Sequence, residues 1–326
     1  MIVTDLHLHT KFSSDGISEM ADMIASARNK GLKTICFTEH MDYDTNFPDG
    51  TFVVDTDAYL KRYHELVADG YAIKDGANLR PDRNRDLQPA DSHAIKDGAN
   101  LRQDRGRDLR TADGHAVRKG TSPSENEEIP DLEVLFGVEL GLQPQLVPFS
   151  REYAASYPFD FIIGSSHVVK KQDPAFSAYF ERFSTEKEAL MAYFEEELLC
   201  AQKFDEFDVY GHLDYAARYA PSGKDVFSYR KYADVLEEIL KTLIDKGKGI
   251  EINTGGFRKS IHRSNPHPDI LKRYRELGGE IITVGSDAHR VEDVAADFAR
   301  AEKILREGGF THYTLFRQRK PFFIEL

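Results

Sequence analysis

The chain has 326 residues, of which 40% are hydrophobic and 30% are charged, with a formal net charge of −12. These proportions are ordinary for a globular protein, and the length suits one large barrel or two average domains. The negative charge argues against general nucleic-acid binding, because binding phosphate backbones needs basic surface.

Targeting and redox features predict a cytoplasmic protein with no membrane partner. Asp5 and His7 stand where a secretory signal peptide needs apolar residues. No apolar run approaches the roughly 20 residues of a membrane-spanning helix. The two cysteines, Cys36 and Cys200, lie far apart and form no CxxC pair, as expected in a reducing compartment.

The first predicted strand, residues 2–10, carries two histidines separated by one residue. His7 and His9 therefore share one face of the strand, and Leu6 and Leu8 are expected on the other. Two imidazoles at the end of a short apolar run provide half of a metal site. An isolated pair is more often structural, so the interpretation depends on the rest of the chain.

A polar loop and a helix lead from this strand to the next one. Ser18 is expected to cap the helix and Gly31 to end it. The second strand begins at residues 34–37 and leads into Thr-Glu-His at 38–40. Strand, helix and strand in this order predict a βαβ unit with a parallel sheet. The apolar face of the helix consists of Met20, Met23, Ile24 and Ala27.

A tandem repeat interrupts this pattern after a helix that begins near residues 55–57. Residues 72–93 recur as 94–115, and a third start follows at 116–120. Each copy lacks an apolar face at a period of 2 or 3.6 residues, so it cannot offset the entropy of ordering. We predict that residues 71–126 form a mobile insertion within a single domain spanning residues 1–326. A lid or a partner-binding arm is the alternative.

Further strand-like runs alternate with helices after the insertion. The strands are predicted at residues 133–138, 159–164, 208–211, 249–252 and 280–285, which makes seven in all, and a short apolar run follows at 322–324. The helices are predicted at 185–203, 229–246, 268–277 and 291–307. Parallel strands that alternate with helices close into a barrel, and barrel enzymes work at the C-terminal strand ends.

Side chains that bind metals gather at those predicted strand ends. Glu139 and Asp287 stand there, and Asp15 lies in the first such loop. Random placement would scatter the histidines, so we predict a metal centre on one rim of the barrel. Mixed imidazole and carboxylate ligands suit zinc, iron or manganese. Six of the twelve histidines share this placement: His7, His9, His40, His167, His212 and His289.

These motifs together resemble the polymerase and histidinol phosphatase (PHP) superfamily. The resemblance covers the chain apart from the repeat, and residues 211–219 and 252–259 resemble the histidinol-phosphate phosphatase branch. It implies an α/β fold, a distorted (β/α)7 TIM-like barrel, with three divalent metal ions. It rests on His7-x-His9, Thr-Glu-His at 38–40, Gly-Val-Glu at 137–139, Ser-His at 166–167, Gly-His-Leu-Asp at 211–214 and Gly-Ser-Asp-Ala-His at 285–289.

The resemblance also implies which residues hold each ion. Several relatives have a histidine where this chain has Asp15, and a carboxylate is a harder ligand. The third metal is therefore expected to be manganese or iron rather than zinc. Catalytic roles are implied for Glu139, Asp287 and His289. The implied ligands are His7, His9, Glu139 and Asp287 for the first metal, bridging Glu139 with His167 and His212 for the second, and Asp15, His40 and His289 for the third.

The implied reaction is hydrolysis of L-histidinol phosphate to L-histidinol and phosphate, in histidine biosynthesis. A metal-bridging hydroxide would attack phosphorus, so no serine or cysteine nucleophile is needed. Arg218 and Arg258 are expected to bind phosphate, since guanidinium matches phosphate oxygens. Arg290 and Lys259 are weaker candidates for the same role. Three carboxylates remain open as partners of the histidinol amine and imidazole: Asp42, Asp44 and Asp214.

Two other functions compete with this one. The same superfamily contains phosphodiesterases and 3′-exonucleases, but the acidic balance and the lack of a basic aromatic groove count against them. The chain could instead be a non-catalytic metal-binding regulatory module. The complete ligand set argues against that reading, because decay of a site usually removes ligands first. The sequence predicts neither the oligomeric state nor the acid that protonates the leaving group.

Overall fold

The fold is a parallel barrel in which strands and helices alternate along the chain. The computed structural model describes residues 1–45, 47, 50–68, 132–223 and 227–326, so the predicted insertion at 71–126 lies outside the described residues. Seven described strands pair in chain order, each parallel to its neighbour, which confirms the predicted distorted (β/α)7 barrel. They are β1 (Thr4–Leu8), β2 (Thr34–Met41), β3 (Glu133–Gly141), β4 (Phe161–Ser165), β5 (Val209–Tyr210), β6 (Gly249–Asn253) and β7 (Ile282–Gly285).

Helices connect these strands. Short 3-10 turns at Tyr215–Arg218, Tyr229–Lys231, Gly255–Arg258 and Val291–Asp293 follow strands or precede helices. Among the described residues, no helix is long and apolar enough to cross a membrane. The helices are α1 (Met20–Asn29), α2 (Thr56–Ala68), α3 (Val147–Ser156), α4 (Ser177–Phe180), α5 (Glu186–Lys203), α6 (Ala233–Asp245), α7 (Pro268–Glu276) and α8 (Phe298–Glu307).

The two edges of the sheet meet at the carboxyl ends of β1 and β7. The Asp287 N–H donates to the His7 carbonyl at 2.9 Å, and the His9 N–H donates to the Ala288 carbonyl at 2.9 Å. Leu8 and Ala288 also form a parallel bridge. This closure brings residues of the predicted metal centre on the first and last strands side by side.

A C-terminal hairpin packs against the amino-terminal end of the barrel interior. It consists of β8 (His312–Arg317) and β9 (Lys320–Glu325), of which the sequence indicated only the apolar run at residues 322–324. The ring of Phe316 lies 5.1 Å from that of Phe161 on β4. With its neighbours it forms the interior apolar cluster, whose buried members are Leu6, Cys36, Leu135, Phe161, Ile163, Val209, Leu315 and Phe316.

The predicted alternation along β1 is wrong in one respect. Leu6 packs in the interior cluster, whereas Leu8 packs in the larger apolar core. The pairing of β1 with β2 shifts register between Asp5 and Leu8. This irregularity explains why two residues expected on one face lie in different clusters.

Two helix predictions also need correction. Ser18 does not cap α1, because its hydroxyl accepts a hydrogen bond from the Val291 N–H at 3.2 Å instead. The single helix predicted at 291–307 is a 3-10 turn followed by α8, since Ala295 and Asp297 have φ of 52° and 62°. Positive φ interrupts a right-handed helix. Gly31 (φ +75°) ends α1 as predicted, and the predicted apolar face of α1 is buried.

Candidate active site

The carboxyl ends of the strands bring the predicted metal-binding side chains into one cluster. Each of the nine lies no more than 3.6 Å from another member of the set. They are His7, His9, Asp15, His40, Glu139, His167, His212, Asp287 and His289.

Glu139 stands at the centre of this cluster, fully buried on β3. Its Oε2 lies 3.1 Å from His7 Nε2 and 3.4 Å from His9 Nε2. Its Oε1 lies 2.8 Å from His212 Nε2 and 3.2 Å from His167 Nε2. The two oxygens of one carboxylate therefore face two different pairs of histidines, the geometry expected of a bridging ligand.

Asp287 completes the group around the first histidine pair. Its Oδ1 lies 3.6 Å from His9 Nε2 and 3.8 Å from His7 Nε2. The ligand atoms of His7, His9 and Glu139 lie within 4.8 Å of one another. Two imidazole nitrogens and two carboxylate oxygens therefore lie close together, and these four residues are the ones that the family resemblance implies for the first metal.

A third group forms around Asp15. Its Oδ2 lies 3.0 Å from His289 Nε2, and its Oδ1 lies 3.8 Å from His40 Nε2. The ligand atoms of His9, His40 and His289 also fall within 4.8 Å of one another. His40 Nδ1 lies 3.2 Å from Glu139 Oε2, so His40 contacts both the third group and the central carboxylate.

The pKa values of His9 and Glu139 are shifted towards the forms that bind metals. Burial, with His40 and His289 nearby, lowers the pKa of His9 to about 3. Burial opposes ionisation of Glu139, but His7 and other imidazoles outweigh it and lower the pKa of Glu139 well below its ordinary value. Neutral imidazole and ionised carboxylate are the forms that bind metals. Burial opposes protonation of four other histidines as well, but the facing carboxylates outweigh it and raise the pKa values of His7, His40, His167 and His289. The buried His9 Nε2 and His40 Nδ1 have no hydrogen-bond partner among the described residues.

Two acidic residues outside the predicted ligand set support the histidines of the cluster. Glu251 Oε1 lies 2.6 Å from His7 Nδ1, and Asp42 Oδ1 lies 2.8 Å from His167 Nδ1. Such partners fix the tautomer and orientation of metal-binding imidazoles. The signal for Glu251 was an acidic residue inside the apolar run at 249–252.

A cavity of about 550 Å³ opens onto the cluster, and both predicted phosphate-binding arginines line it. Arg218 is buried, and its guanidinium donates to Asn265 Oδ1 at 2.6 Å and to Asn253 Oδ1 at 3.1 Å. Arg258 Nη2 donates to the Ser286 carbonyl at 2.6 Å. Its buried Nη1 has no hydrogen-bond partner among the described residues.

Three of the weaker candidates line the cavity and two do not. Arg290, Lys259 and Asp42 line the cavity, as far as the described residues show. Asp214 does not, because it is buried and pairs with Arg263 at 2.7 Å. Asp44 also lies outside the cavity lining and accepts a hydrogen bond from the Gln145 amide.

Comparison with known proteins decides the family. The model of the PHP domain matches residues 5–255, most of the chain. The chain belongs to the PHP domain family. The predicted family membership is therefore confirmed. The matched region contains the cluster residues from His7 to His212, and Asp287 and His289 lie beyond it.

Relatives in this family match along nearly the whole PHP chain. The protein named "Probable histidinol-phosphatase" of Clostridium acetobutylicum is 28% identical over 304 residues, covering 93% of this chain and 92% of that one. The histidinol-phosphatase of Lactococcus lactis subsp. lactis is 25% identical over 316 residues, covering 97% and 95%.

A solved structure shares the fold of this PHP protein. It is the crystal structure of histidinol phosphate phosphatase from Lactococcus lactis subsp. lactis, complexed with zinc, L-histidinol and phosphate. It superposes with a TM-score of 0.74 at 24% identity and covers 98% of both chains. The two proteins therefore share the barrel fold.

Proposed function

We propose that this protein is a metal-dependent phosphomonoesterase that hydrolyses L-histidinol phosphate to L-histidinol and phosphate, in histidine biosynthesis. The observation that carries the proposal is the position of Glu139. Its two oxygens face separate histidine groups, and it lines the same cavity as Arg218 and Arg258. The names of the Clostridium and Lactococcus relatives support the substrate.

Three divalent ions (zinc, manganese or iron) would occupy the cluster in this proposal. The first group consists of the His7 and His9 pair with Asp287, the second of His167 and His212, and Glu139 joins both. Asp15, His40 and His289 form the third. The zinc in the Lactococcus structure supports at least one transition metal at such a centre.

The chain's own residues would bind and orient the phosphate. Bound divalent ions supply a lowered water pKa and neutralise charge on phosphoryl oxygens. Arg258 offers its buried Nη1 to the phosphate. Asp287 Oδ2 lies 3.4 Å from Arg218 Nη1, so the same carboxylate that faces the first histidine pair also holds this guanidinium. Glu139, Asp287 and His289 are the proposed catalytic residues.

The proposal extends to the organisation and location of the chain. We propose one PHP barrel domain over residues 1–326, with residues 71–126 as an insertion within it. We also propose a cytoplasmic location. Cys36 and Cys200 are both buried thiols, which supports a reducing compartment.

A phosphate-release screen tests the proposed activity. The purified protein would be stripped of metal, reloaded with zinc, manganese or iron, and given small phosphomonoesters that include L-histidinol phosphate. We expect the largest kcat/KM with L-histidinol phosphate and no turnover in chelator. Dinucleotides and bis-(4-nitrophenyl) phosphate would be assayed in parallel.

Two outcomes would contradict the proposal. Cleavage of the diesters in preference to monoesters would indicate a PHP phosphodiesterase or 3′-exonuclease. Stoichiometric metal binding without turnover of any phosphate ester would indicate a non-catalytic module.

A further inference from the structure

Within the part of the chain that the structure describes, the cavity contains one carboxylate that has no cationic partner. Among the described residues, six acidic side chains line it, and five contact histidine or arginine side chains. The sixth, Asp173, carries no ion pair in the described part of the chain. The five acidic side chains that contact histidine or arginine are Asp15, Asp42, Glu139, Asp287 and Asp293.

Asp173 is held in place by two neutral donors. Its Oδ1 accepts the Ala175 N–H at 2.7 Å and the Tyr215 hydroxyl at 3.2 Å. Burial raises the pKa of this carboxyl, and the hydrogen bond from the Ala175 N–H and the nearby His167 only partly offset the effect. These two hydrogen bonds hold the carboxylate in place, but no described residue supplies a direct counter-charge.

Tyr215 contacts Asp173 and also lies beside two histidines of the cluster and Arg218. The buried Tyr215 ring lies 5.2 Å from the His212 ring and 5.3 Å from the His167 ring. The Arg218 Cζ lies 5.5 Å from the centre of the same ring. One tyrosine therefore separates an anion-binding guanidinium from an unpaired carboxylate, beside the second histidine group.

We infer that Asp173 binds the cationic nitrogen of the substrate. The cavity thus selects phosphate monoesters that carry a protonated amine or an imidazolium over neutral ones. The inference deepens the proposed function and rests on it. A charged nitrogen donor forms a strong hydrogen bond to carboxylate, and a site built for such a donor rejects an analogue that lacks it.

Asp173→Asn tests this inference, because asparagine keeps the oxygen that accepts from Ala175 and Tyr215. The kcat/KM of the metal-loaded enzyme would be compared for L-histidinol phosphate and n-propyl phosphate, a neutral ester. We expect the ratio of the two to fall about tenfold or more in Asp173→Asn. Asp22→Asn, which removes an exposed carboxylate on α1, should keep the parental ratio.

Binding measurements test the same point without turnover. Calorimetric titration of the zinc-loaded protein with L-histidinol should give a Kd about tenfold higher for Asp173→Asn than for Asp22→Asn. Zinc content measured on the same samples should match between the two variants. 2-Aminoethyl phosphate and 2-(imidazol-4-yl)ethyl phosphate separate the two sources of charge. The analogue whose kcat/KM falls in Asp173→Asn carries the group that Asp173 binds.

The outcomes distinguish this inference from the proposed function. A ratio and a Kd that both stay within about twofold of the parent would overturn the role of Asp173 while leaving the phosphatase intact. If 2-aminoethyl phosphate is preferred to n-propyl phosphate through Asp173 but L-histidinol phosphate is not turned over, the inference stands and the proposed substrate is wrong.

Discussion

Glu251 Oε1 lies 2.6 Å from His7 Nδ1, on the side of the imidazole opposite to Glu139. His7 on β1 and Glu251 on β6 are both buried. The other carboxylate oxygen of Glu251 accepts the His212 backbone N–H at 3.2 Å. One acidic residue therefore orients members of two histidine groups. An Nδ1–H that donates to Glu251 leaves the Nε2 lone pair of His7 directed at the cluster.

Glu251→Gln should weaken metal binding, because a neutral amide holds the His7 tautomer less strongly. Loss of such a partner typically costs about 10–100-fold in metal affinity. Competition titration of zinc against a chromogenic chelator measures the change. Glu237→Gln, which removes an acidic residue paired with Arg273 at the surface, provides the matched control. Equal zinc affinities of the two variants would show that Glu251 does not support the centre.

Metal removal should abolish the proposed phosphatase activity, and a divalent transition metal should restore it. Glu139→Gln should be among the most damaging changes, since Glu139 contacts both histidine pairs. We expect this variant to bind fewer metal ions per chain than the parent, as measured by elemental analysis after dialysis. Full turnover in metal-free protein, or parental metal content and turnover in Glu139→Gln, would contradict the assignment.

Arg258→Ala should reduce transition-state binding by about 2–5 kcal/mol, as for other desolvated charge pairs, without loss of metal. Arg258 contacts the Ser286 carbonyl and Asp293 rather than a side chain of the metal-binding cluster. The kcat/KM on L-histidinol phosphate and the metal content would be measured together. Arg62→Ala, on the surface of α2, serves as the control.

Arg218→Ala should differ from Arg258→Ala in one measurable way. Arg218 Nη1 contacts Asp287 Oδ2 at 3.4 Å, so its loss frees a proposed ligand to reorient. We expect a similar fall in kcat/KM, together with a lower affinity for metal. Parental metal affinity in Arg218→Ala would restrict this residue to phosphate binding.

Glu197 should make the stability of the protein depend on pH. Burial raises the pKa of Glu197 well above its ordinary value of 4.5. Between pH 4.5 and the raised pKa of the folded state, Glu197 is ionised in the unfolded chain but protonated in the folded protein. The free energy of unfolding therefore falls as pH rises. The loss approaches about 1.4 kcal/mol per pH unit until the folded group ionises.

Glu197→Gln removes that titration and should gain stability relative to the parent as pH increases. Urea unfolding at several pH values between about 5 and 8 measures the difference. Glu195→Gln, an exposed change on the same helix, controls for the general effect of charge. A stability difference that stays constant with pH would contradict the prediction.

Deletion of residues 94–115, one copy of the repeat, should leave stability and turnover nearly unchanged. The cost of closing a surface loop grows only logarithmically with its length, and the sequence of each copy lacks an apolar face. Thermal unfolding and the kcat and KM for L-histidinol phosphate measure both properties. A large rise in KM would instead indicate that the repeat helps to bind substrate.

The sequence by itself determined the order of strands and helices and the clustering of the proposed metal-binding side chains at one rim. Apolar runs fix the strands, and parallel strands place their carboxyl ends on one rim. His7, Glu139 and Asp287 could therefore be assigned to the same rim of the barrel, although they are far apart in the sequence. The end of α1 was also predictable, because Gly31 adopts a backbone conformation that favours glycine.

The tertiary structure alone decided which side chains support or complete that site. Glu251 meets His7 across 244 positions of sequence, and Tyr215 reaches Asp173 across 42. Asp214, equally acidic and next to a strand end, pairs with Arg263 in the interior instead. Local sequence sets the hydrophobic period of each helix and strand and the residues at which it begins and ends. Barrel closure and packing set which distant charged groups meet, because a buried charge is stable only where the fold supplies its partner.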